Sequence, residues 1–193
     1  MKKIKNKNIN TIDYWNNKFD NSYRSAVRKT GMKRYEEIIK YINKNSNILD
    51  IGSNFGDFVM YLKENNISFK NYTGFDFSDS AISYARKEMP NYTWIVGDCH
   101  NLNIPMKYNT IICMQTLEHV DKPITVLKEI YNTLTKHGQL LLSVPNMLKI
   151  QHDEHIWSYS EDELKNILIN NKFNNVHTQI INNNKNILCI AKK

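Results

Sequence analysis

The sequence predicts an α/β fold: a doubly wound, mostly parallel sheet of seven strands, with an antiparallel last strand and helices on both faces. Three observations carry this. Short apolar or β-branched runs alternate with stretches of helical spacing, the pattern of βαβ units with right-handed crossovers. The runs are apolar almost throughout, as suits strands covered on both faces. Two final runs are separated only by Asn182-Asn183-Asn184-Lys185, a short polar connection that reads as a hairpin.

The elements follow in order. Tyr14, Trp15, Phe19 and Tyr23 form an aromatic segment, and Tyr35, Ile38, Ile39 and Ile42 give helical spacing over 32–42. Strand-like runs then cover 47–52, 72–76, 93–96, 110–114 and 139–144. Between them, Phe58, Val59 and Leu62 make one apolar stripe, and Ile82 and Ala85 make another behind Ser78 as cap. Ile124, Leu127, Ile130, Tyr131 and Leu134 make a third, ending at Gly138. Ser160-Glu161-Asp162-Glu163 is a capping-box sequence, opening a helix through Leu164, Ile167 and Leu168 towards Phe173. The closing runs are Val176 to Ile181 and Asn186 to Ala191. No repeat, Pro-rich linker or composition break divides the chain. It reads as one domain over 1–193, with a helical lid or cap at 1–45 and a core at 46–193. A substrate loop is expected at about 146–159.

The 193 residues, 41% hydrophobic and 23% charged, suit one globular unit. The basic start is not followed by an apolar run, which argues against a secretory signal, and no stretch has the length to span a bilayer. Three cysteines, Cys99, Cys113 and Cys189, lie far apart with no CxxC spacing, which fits a reducing compartment and a cytoplasmic protein. The net charge of +7 raises nucleic acid as a partner, but four lysines fall within the first seven residues. That tail reads as solvated, so nucleic acid is not favoured.

In a doubly wound sheet the ligand sits beyond the carboxyl ends of the strands. The first strand ends in Asp50-Ile51-Gly52-Ser53-Asn54-Phe55-Gly56-Asp57. In a G-x-G-x-x-G register Asp57 would face a diphosphate, which like charge disfavours. In a G-x-G-x-G register Asn54 replaces the middle glycine, and Asn tolerates positive φ. A glycine-poor, acid-flanked loop suits an ammonium and a sulfonium better than a diphosphate; the alternative is a plain tight turn. Asp76 ends the second strand, where an acid accepts from ribose hydroxyls. Gly97-Asp98-Cys99 follows the third strand, where Asp98 is placed to accept from an adenine amino group while a neighbouring N–H reaches the ring.

These residues resemble the class I S-adenosylmethionine-dependent methyltransferases, over Ile48 to about Asn146 and more loosely to the C-terminus. The first motif is Ile48 to Gly56, the ribose motif Gly74-Phe75-Asp76-Phe77-Ser78, and the adenine motif Ile95 to Leu102. Tyr108 to Val120 is similar to the fourth-strand segment of the branch holding quinone-pathway and sugar O-methyltransferases. Lys136-His137-Gly138 stands where Pro-Gly-Gly is common. The resemblance implies a Rossmann-like fold and S-adenosylmethionine as cofactor, with S-adenosylhomocysteine as product. Asp50, Gly52, Ser53, Asn54 and Gly56 would border its methionine part; Asp76 would bind ribose and Phe77 would pack on adenine. Asp98 and Cys99 would meet the adenine edge, and Gln115 would complete the cofactor site.

Methyl transfer to a hydroxyl is helped by a base, and a histidine near its ordinary pKa can serve. His119, beside Glu118 after the fourth strand, is the candidate base or orienting group; the alternative is that both brace the next helix. His152 and His155 are further catalytic or substrate-contact candidates, in a polar, aromatic stretch with Trp157. These groups also have the donor types of a metal site, but the spacing is weak and no metal is expected. Tyr14, Trp15 and Tyr23 either fold over the ligands as a lid or pack as a helix face. The expected acceptor is a small molecule, through a sugar or phenolic hydroxyl. The alternatives are methylation of nucleic acid or protein, or a cofactor-binding regulatory subunit without turnover.

Overall fold

The computed structural model describes residues 1–18, 21–146 and 152–193; within 21–30 only the side chains at 25 and 29 are described. The chain opens with α1 (Ile12–Lys18), α2 (Asn21–Ile38) and a 3-10 turn at Ile39–Tyr41. It continues through β1 (Asn47–Ile51), α3 (Asp57–Glu64), β2 (Asn71–Asp76), α4 (Asp79–Glu88), β3 (Thr93–Val96) and β4 (Tyr108–Met114). Then come α5 (Pro123–Thr133), β5 (Leu134–Pro145), α6 (Glu161–Asn170), β6 (Asn174–Ile181) and β7 (Asn186–Lys192).

The seven strands lie in the order β3-β2-β1-β4-β5-β7-β6. β1 to β5 are parallel, and β7 runs antiparallel to both of its neighbours, β5 and β6. This is the predicted sheet, Rossmann-like and closed by an antiparallel strand. Connections from β1 run one way to β2 and β3 and the other way to β4 and β5, so a crevice opens between the carboxyl ends of β1 and β4.

Alternate strand residues feed two apolar layers. Ile48 of β1 packs with Ile38 of α2, with Phe58, Val59 and Leu62 of α3, and with Ile82 and Ala85 of α4. Leu49 and Ile51 face the other way, onto Val126, Leu127 and Ile130 of α5 and Leu164 and Leu168 of α6. Helices therefore cover both faces, and the near-continuous apolar runs follow from that double burial.

Local chemistry sets the helix ends. The Ser78 hydroxyl accepts from the Ala81 N–H at 3.3 Å. Ser160 and Glu163 form the full reciprocal capping box. Two boundaries differ from the sequence pattern. The first helix expected at 32–42 starts earlier and tightens to a 3-10 turn at Ile39–Tyr41. The helix expected to end at Gly138 stops at Thr133, because Leu134 already pairs with Tyr108 across a register shift. The positive φ in that turn belongs to His137 (63°). Gly138 sits in a close space instead: a Cβ there would lie 3.0 Å from the Thr135 carbonyl oxygen, a tight contact.

The basic N-terminus is not a free tail. Lys2–Lys3 pairs antiparallel with Trp157–Ser158, and Lys5 forms an ion pair with Asp153 at 2.6 Å. The 154–159 segment is in turn laced to the loop after β4. Backbone N–H groups of Ile156 and Trp157 donate to the Glu118 carbonyl at 2.9 and 3.2 Å. The Trp157 indole donates to Val120 O at 2.8 Å, and the Tyr159 hydroxyl to Leu117 O at 3.1 Å. Among the described residues no helix is long and apolar enough to cross a membrane.

Tyr159 is 3% exposed, so removing its hydroxyl leaves the Leu117 carbonyl without that partner in an apolar layer. Tyr159→Phe is expected to cost about 1–2 kcal/mol of stability, measured as a lower urea midpoint with unchanged slope.

Candidate active site

The loop after β1 makes a sharp turn with positive φ at every second residue: Gly52 at 73°, Asn54 at 52° and Gly56 at 78°. Asn54 thus holds the left-handed conformation expected of it. At Gly52 and Gly56 there is also no room for a side chain. A Cβ on Gly52 would meet Thr116 Oγ1 at 2.1 Å, and one on Gly56 would meet the Trp94 ring at 2.4 Å. The turn is tied to β2 by the N–H groups of Gly52 and Ser53, which donate to the Phe75 carbonyl at 2.8 and 3.1 Å.

Two buried carboxylates stand at this edge. Asp76 accepts from the N–H of Asn54 and of Ser78, both at 2.9 Å, and so clamps the β1 loop to the β2 loop. Burial raises its pKa, while those backbone donors pull it down. Asp50 accepts a short 2.5 Å bond from the Tyr72 hydroxyl. Burial pushes its pKa up to about 7, against the lowering effect of Tyr72 and with a further rise from Asp76. Asp98 is more open. Desolvation raises its pKa, but hydrogen bonds from the backbone and ring of His100 outweigh this and the net shift is downward. Burial, with Asp98 and Asp76 adding, pushes the Cys99 thiol up to about 12. It packs as a neutral group.

These residues line one cavity of about 650 Å³, within the range of about 300–1,000 Å³ usual for ligand pockets. Asp50, Gly52, Ser53, Asn54, Asp76, Phe77, Asp98, Cys99 and Gln115 all border it. Gly56 does not; it caps α3 against Trp94 and Met89. Gln115, itself at φ 51°, is held by Ser143 Oγ at 3.2 Å and Asn186 Nδ2 at 3.1 Å.

The other end of the cavity meets the post-β4 loop and the chain start. His119 and Trp15 line it, with ring centroids 5.3 Å apart and edge to face. The roof includes Asn8, Asn10, Thr11 and Ile12, and a wall comes from Arg34 and Tyr35 of α2. No sequence motif marks any of these six as a site residue, and Tyr35 is legible only as part of the helical stripe over 32–42. Tyr14 stands behind the roof, donating to Glu154 Oε1 at 2.7 Å, and Lys18 forms an ion pair with the same carboxylate. Trp157 is turned to Val120 as a brace rather than into the cavity. The side chain of Tyr23 lies outside the described residues, as do Phe19 and positions 147–151 of the expected substrate loop.

Behind His119 lies a compact polar cluster. Its Nδ1 is 3.1 Å from the Glu154 carbonyl oxygen and its Nε2 3.7 Å from Glu118 Oε1. His155 packs on His119 with centroids 5.1 Å apart, and His152 on His155 at 5.2 Å. Burial lowers the His119 pKa well below the usual histidine value, with His155, Lys18 and His152 adding to the effect. Burial likewise takes His155 down to about 4, and raises Glu118 to about 8. Glu118, His152 and His155 do not line the cavity; His119 stands between them and it.

A family described as a methyltransferase domain matches residues 23–178. The chain belongs to it, among the class I S-adenosylmethionine-dependent methyltransferases. Two tRNA U34 carboxymethyltransferases are similar in sequence. One, from Campylobacter fetus subsp. fetus, is 28% identical over 142 residues, covering 70% of this chain and 46% of its own length. The other, from Nautilia profundicola, is 31% identical over 145 residues, covering 71% of this chain and 44% of its own. The chain thus spans less than half the length of these curated relatives. Among solved structures, magnesium protoporphyrin IX methyltransferase from Synechocystis with bound S-adenosylhomocysteine superposes with a TM-score of 0.71 at 16% identity, covering 96% of this chain and 95% of that one. An S-adenosylmethionine-dependent methyltransferase from Archaeoglobus fulgidus gives 0.75 at 17% identity, covering 90% and 100%. At these identities the superpositions bear on the fold.

Asp50 gives a pH signature. Its folded pKa lies near 7 against about 4 for an unfolded aspartate. Between these values the folded protein holds the extra proton, so stability falls as pH rises from about 4 to about 7. Asp50→Asn is expected to flatten that decline, read from urea midpoints across the window. An unchanged slope would show that Asp50 does not titrate there.

Proposed function

We propose that the chain transfers a methyl group from S-adenosylmethionine to a hydroxyl oxygen of a small polar metabolite, such as a sugar or phenol. In this reading residues 46–193 form the cofactor-binding core of a single cytoplasmic domain. Residues 1–45 act as its lid, and the segment at about 146–159 borders the acceptor. The observation that carries the small acceptor is the roof: residues 8–15 cross the cavity, and Trp15 packs on His119 at its acceptor end. A metabolite fits beneath such a cover more readily than a folded macromolecule does.

The donor groups suit the cofactor. Asp50 and the turn at Gly52, Ser53 and Asn54 offer carboxylate and carbonyl oxygens to an ammonium. Asp76 offers carboxylate oxygens to which ribose hydroxyls would donate, Phe77 offers a ring face to adenine, and Asp98 offers an oxygen to its amino group. When bound, S-adenosylmethionine supplies an electrophilic methyl carbon, whose bond to sulfur breaks with its electron pair on sulfur as the acceptor oxygen bonds to carbon. The protein's part is alignment and proton removal. His119 donates Nδ1–H to the Glu154 carbonyl, which can only accept, so Nε2 carries the lone pair, 3.7 Å from Glu118 Oε1. In this reading the ring orients the acceptor hydroxyl or takes its proton as a base weakened by burial. Trp15 and the α2 wall exclude water. Tyr14, Glu118, His152, His155 and Trp157 support this end in the same reading, by positioning the roof and the His119 ring.

A second reading has an acceptor base within RNA. It is favoured by the tRNA-modifying relatives and by the net charge of +7. In that case RNA binding would weaken steeply with salt, whereas a small acceptor leaves turnover nearly salt-independent.

Calorimetry is expected to show one S-adenosylmethionine bound per chain, with Asp76→Ala weakening it at least tenfold, about 1.4 kcal/mol. His119→Ala should leave that binding within about twofold and cut turnover of an acceptor found by metabolite screening at least a hundredfold. No uptake of the methyl donor would sink the assignment, and full turnover by His119→Ala would remove the histidine from the chemistry.

A further inference from the structure

We propose that Glu118, His119 and His155 form a binding site for a divalent transition-metal ion at the acceptor end of the cavity. Glu118 is fully buried, and among the described residues neither carboxylate oxygen has a hydrogen-bond partner. His155 is 4% exposed and its Nδ1 likewise has no partner. A buried carboxylate and imidazole left this way are costly unless something else satisfies them.

The tautomer of His119 narrows what that can be. Its Nδ1 faces the Glu154 carbonyl, so in the neutral ring the proton resides there and Nε2 presents a bare lone pair. That lone pair faces Glu118 Oε1 at 3.7 Å. Two acceptors aimed at one another call for a cation or a shared proton between them. One ligand atom from each of Glu118, His119 and His155 lies within 4.8 Å of the others. Metal–ligand bonds of about 2.0–2.2 Å in a tetrahedral shell put neighbouring donor atoms about 3.3–3.6 Å apart. The Glu118–His119 pair is already close to this, and a ligand atom of His155 lies within 4.8 Å of both.

Two imidazoles and one carboxylate suit Zn²⁺, Co²⁺ or a similar ion better than Mg²⁺ or Ca²⁺, which prefer all-oxygen shells. The Glu154 carbonyl supplies the outer partner that ligating histidines usually have, and it is itself held by Asn10 Nδ2 at 2.8 Å. Of the nearby cations, Lys18 is paired with Glu154 and Lys5 with Asp153, while the Arg34 charge acts on Glu118 and favours its ionised form. Because His119 also lines the cavity, the site adjoins the acceptor end. This deepens the proposed function, on which it rests: with an ion bound, His119 would serve as a ligand that fixes the wall beside the acceptor.

The test uses tag-free, chelator-stripped full-length protein titrated with ZnCl₂ by calorimetry and with CoCl₂ by visible absorption. One equivalent of ion with a tetrahedral cobalt spectrum is expected. Glu118→Gln and His155→Ala should each weaken binding at least tenfold, and His100→Ala should not, which separates this cluster from Asp98, Cys99 and His100. If one variant fails to fold by circular dichroism, the other carries the comparison. Absence of stoichiometric binding, or binding that survives both substitutions or is lost with His100→Ala, overturns the site and leaves a proton shared between Glu118 and His119. S-adenosylmethionine is titrated into the same samples. Donor binding without metal binding defeats only this inference, while metal binding without donor binding defeats the proposed function.

Discussion

The arrangement of the site depends on a buried carboxylate doing a structural task. Asp76 receives the N–H groups of Asn54 and Ser78, so two strand-to-helix turns are fixed to one anionic point. Without that point, two backbone donors at a sharp turn would need other partners, in a crevice poor in alternatives. Parallel strands alone bring turns to the same edge; the aspartate sets their spacing. Asp50 adds a second carboxylate, and the cost of keeping it there is seen in its raised pKa. A cationic ligand offsets that cost. The region therefore has an electrostatic bias before any ligand arrives.

The end of the cavity at His119 is organised differently. Here the backbone of 154–159 grips the post-β4 loop, and the chain start grips both. The Glu154 carbonyl is the meeting point, accepting from Asn10 and His119. Its side chain meanwhile holds Tyr14 and Lys18. One residue thus orients a catalytic candidate and fastens the roof, which makes the position of His119 sensitive to whatever the roof does.

Much of this was legible in the sequence, for identifiable reasons. The strands were visible because burial on both faces leaves few polar residues, and Ser78 and Ser160 announced their helices through side-chain oxygens. The rim of the cavity was readable because Gly52, Asp76 and Asp98 each lie at or within two residues of a strand end, where topology fixes direction. Asn54 was readable as a positive-φ residue because few side chains tolerate that conformation. Gly56 was harder: it borders Trp94, far along the chain, so a packing demand looked like a ligand contact. Trp157 was hidden for the same reason, since its partner Val120 is a backbone carbonyl that no pattern marks. Asn8, Asn10, Thr11 and Arg34 carry ordinary surface residue types; the return of the N-terminus brings the first three to the cavity, and α2 brings Arg34. The short strand at Lys2–Lys3 was read as a solvated tail because lysine runs usually are.

The roof also has a bearing on how the molecule assembles. Its fastenings join residues at opposite ends of the chain: Asn10 meets Glu154 across 144 positions, and Lys2 pairs with Ser158. Contacts of that separation add only slowly growing loop-closure cost, yet no local βα unit can supply them. Enclosure of the cavity is therefore a property of the whole chain: it exists only where the earliest and some of the latest segments of the polypeptide meet.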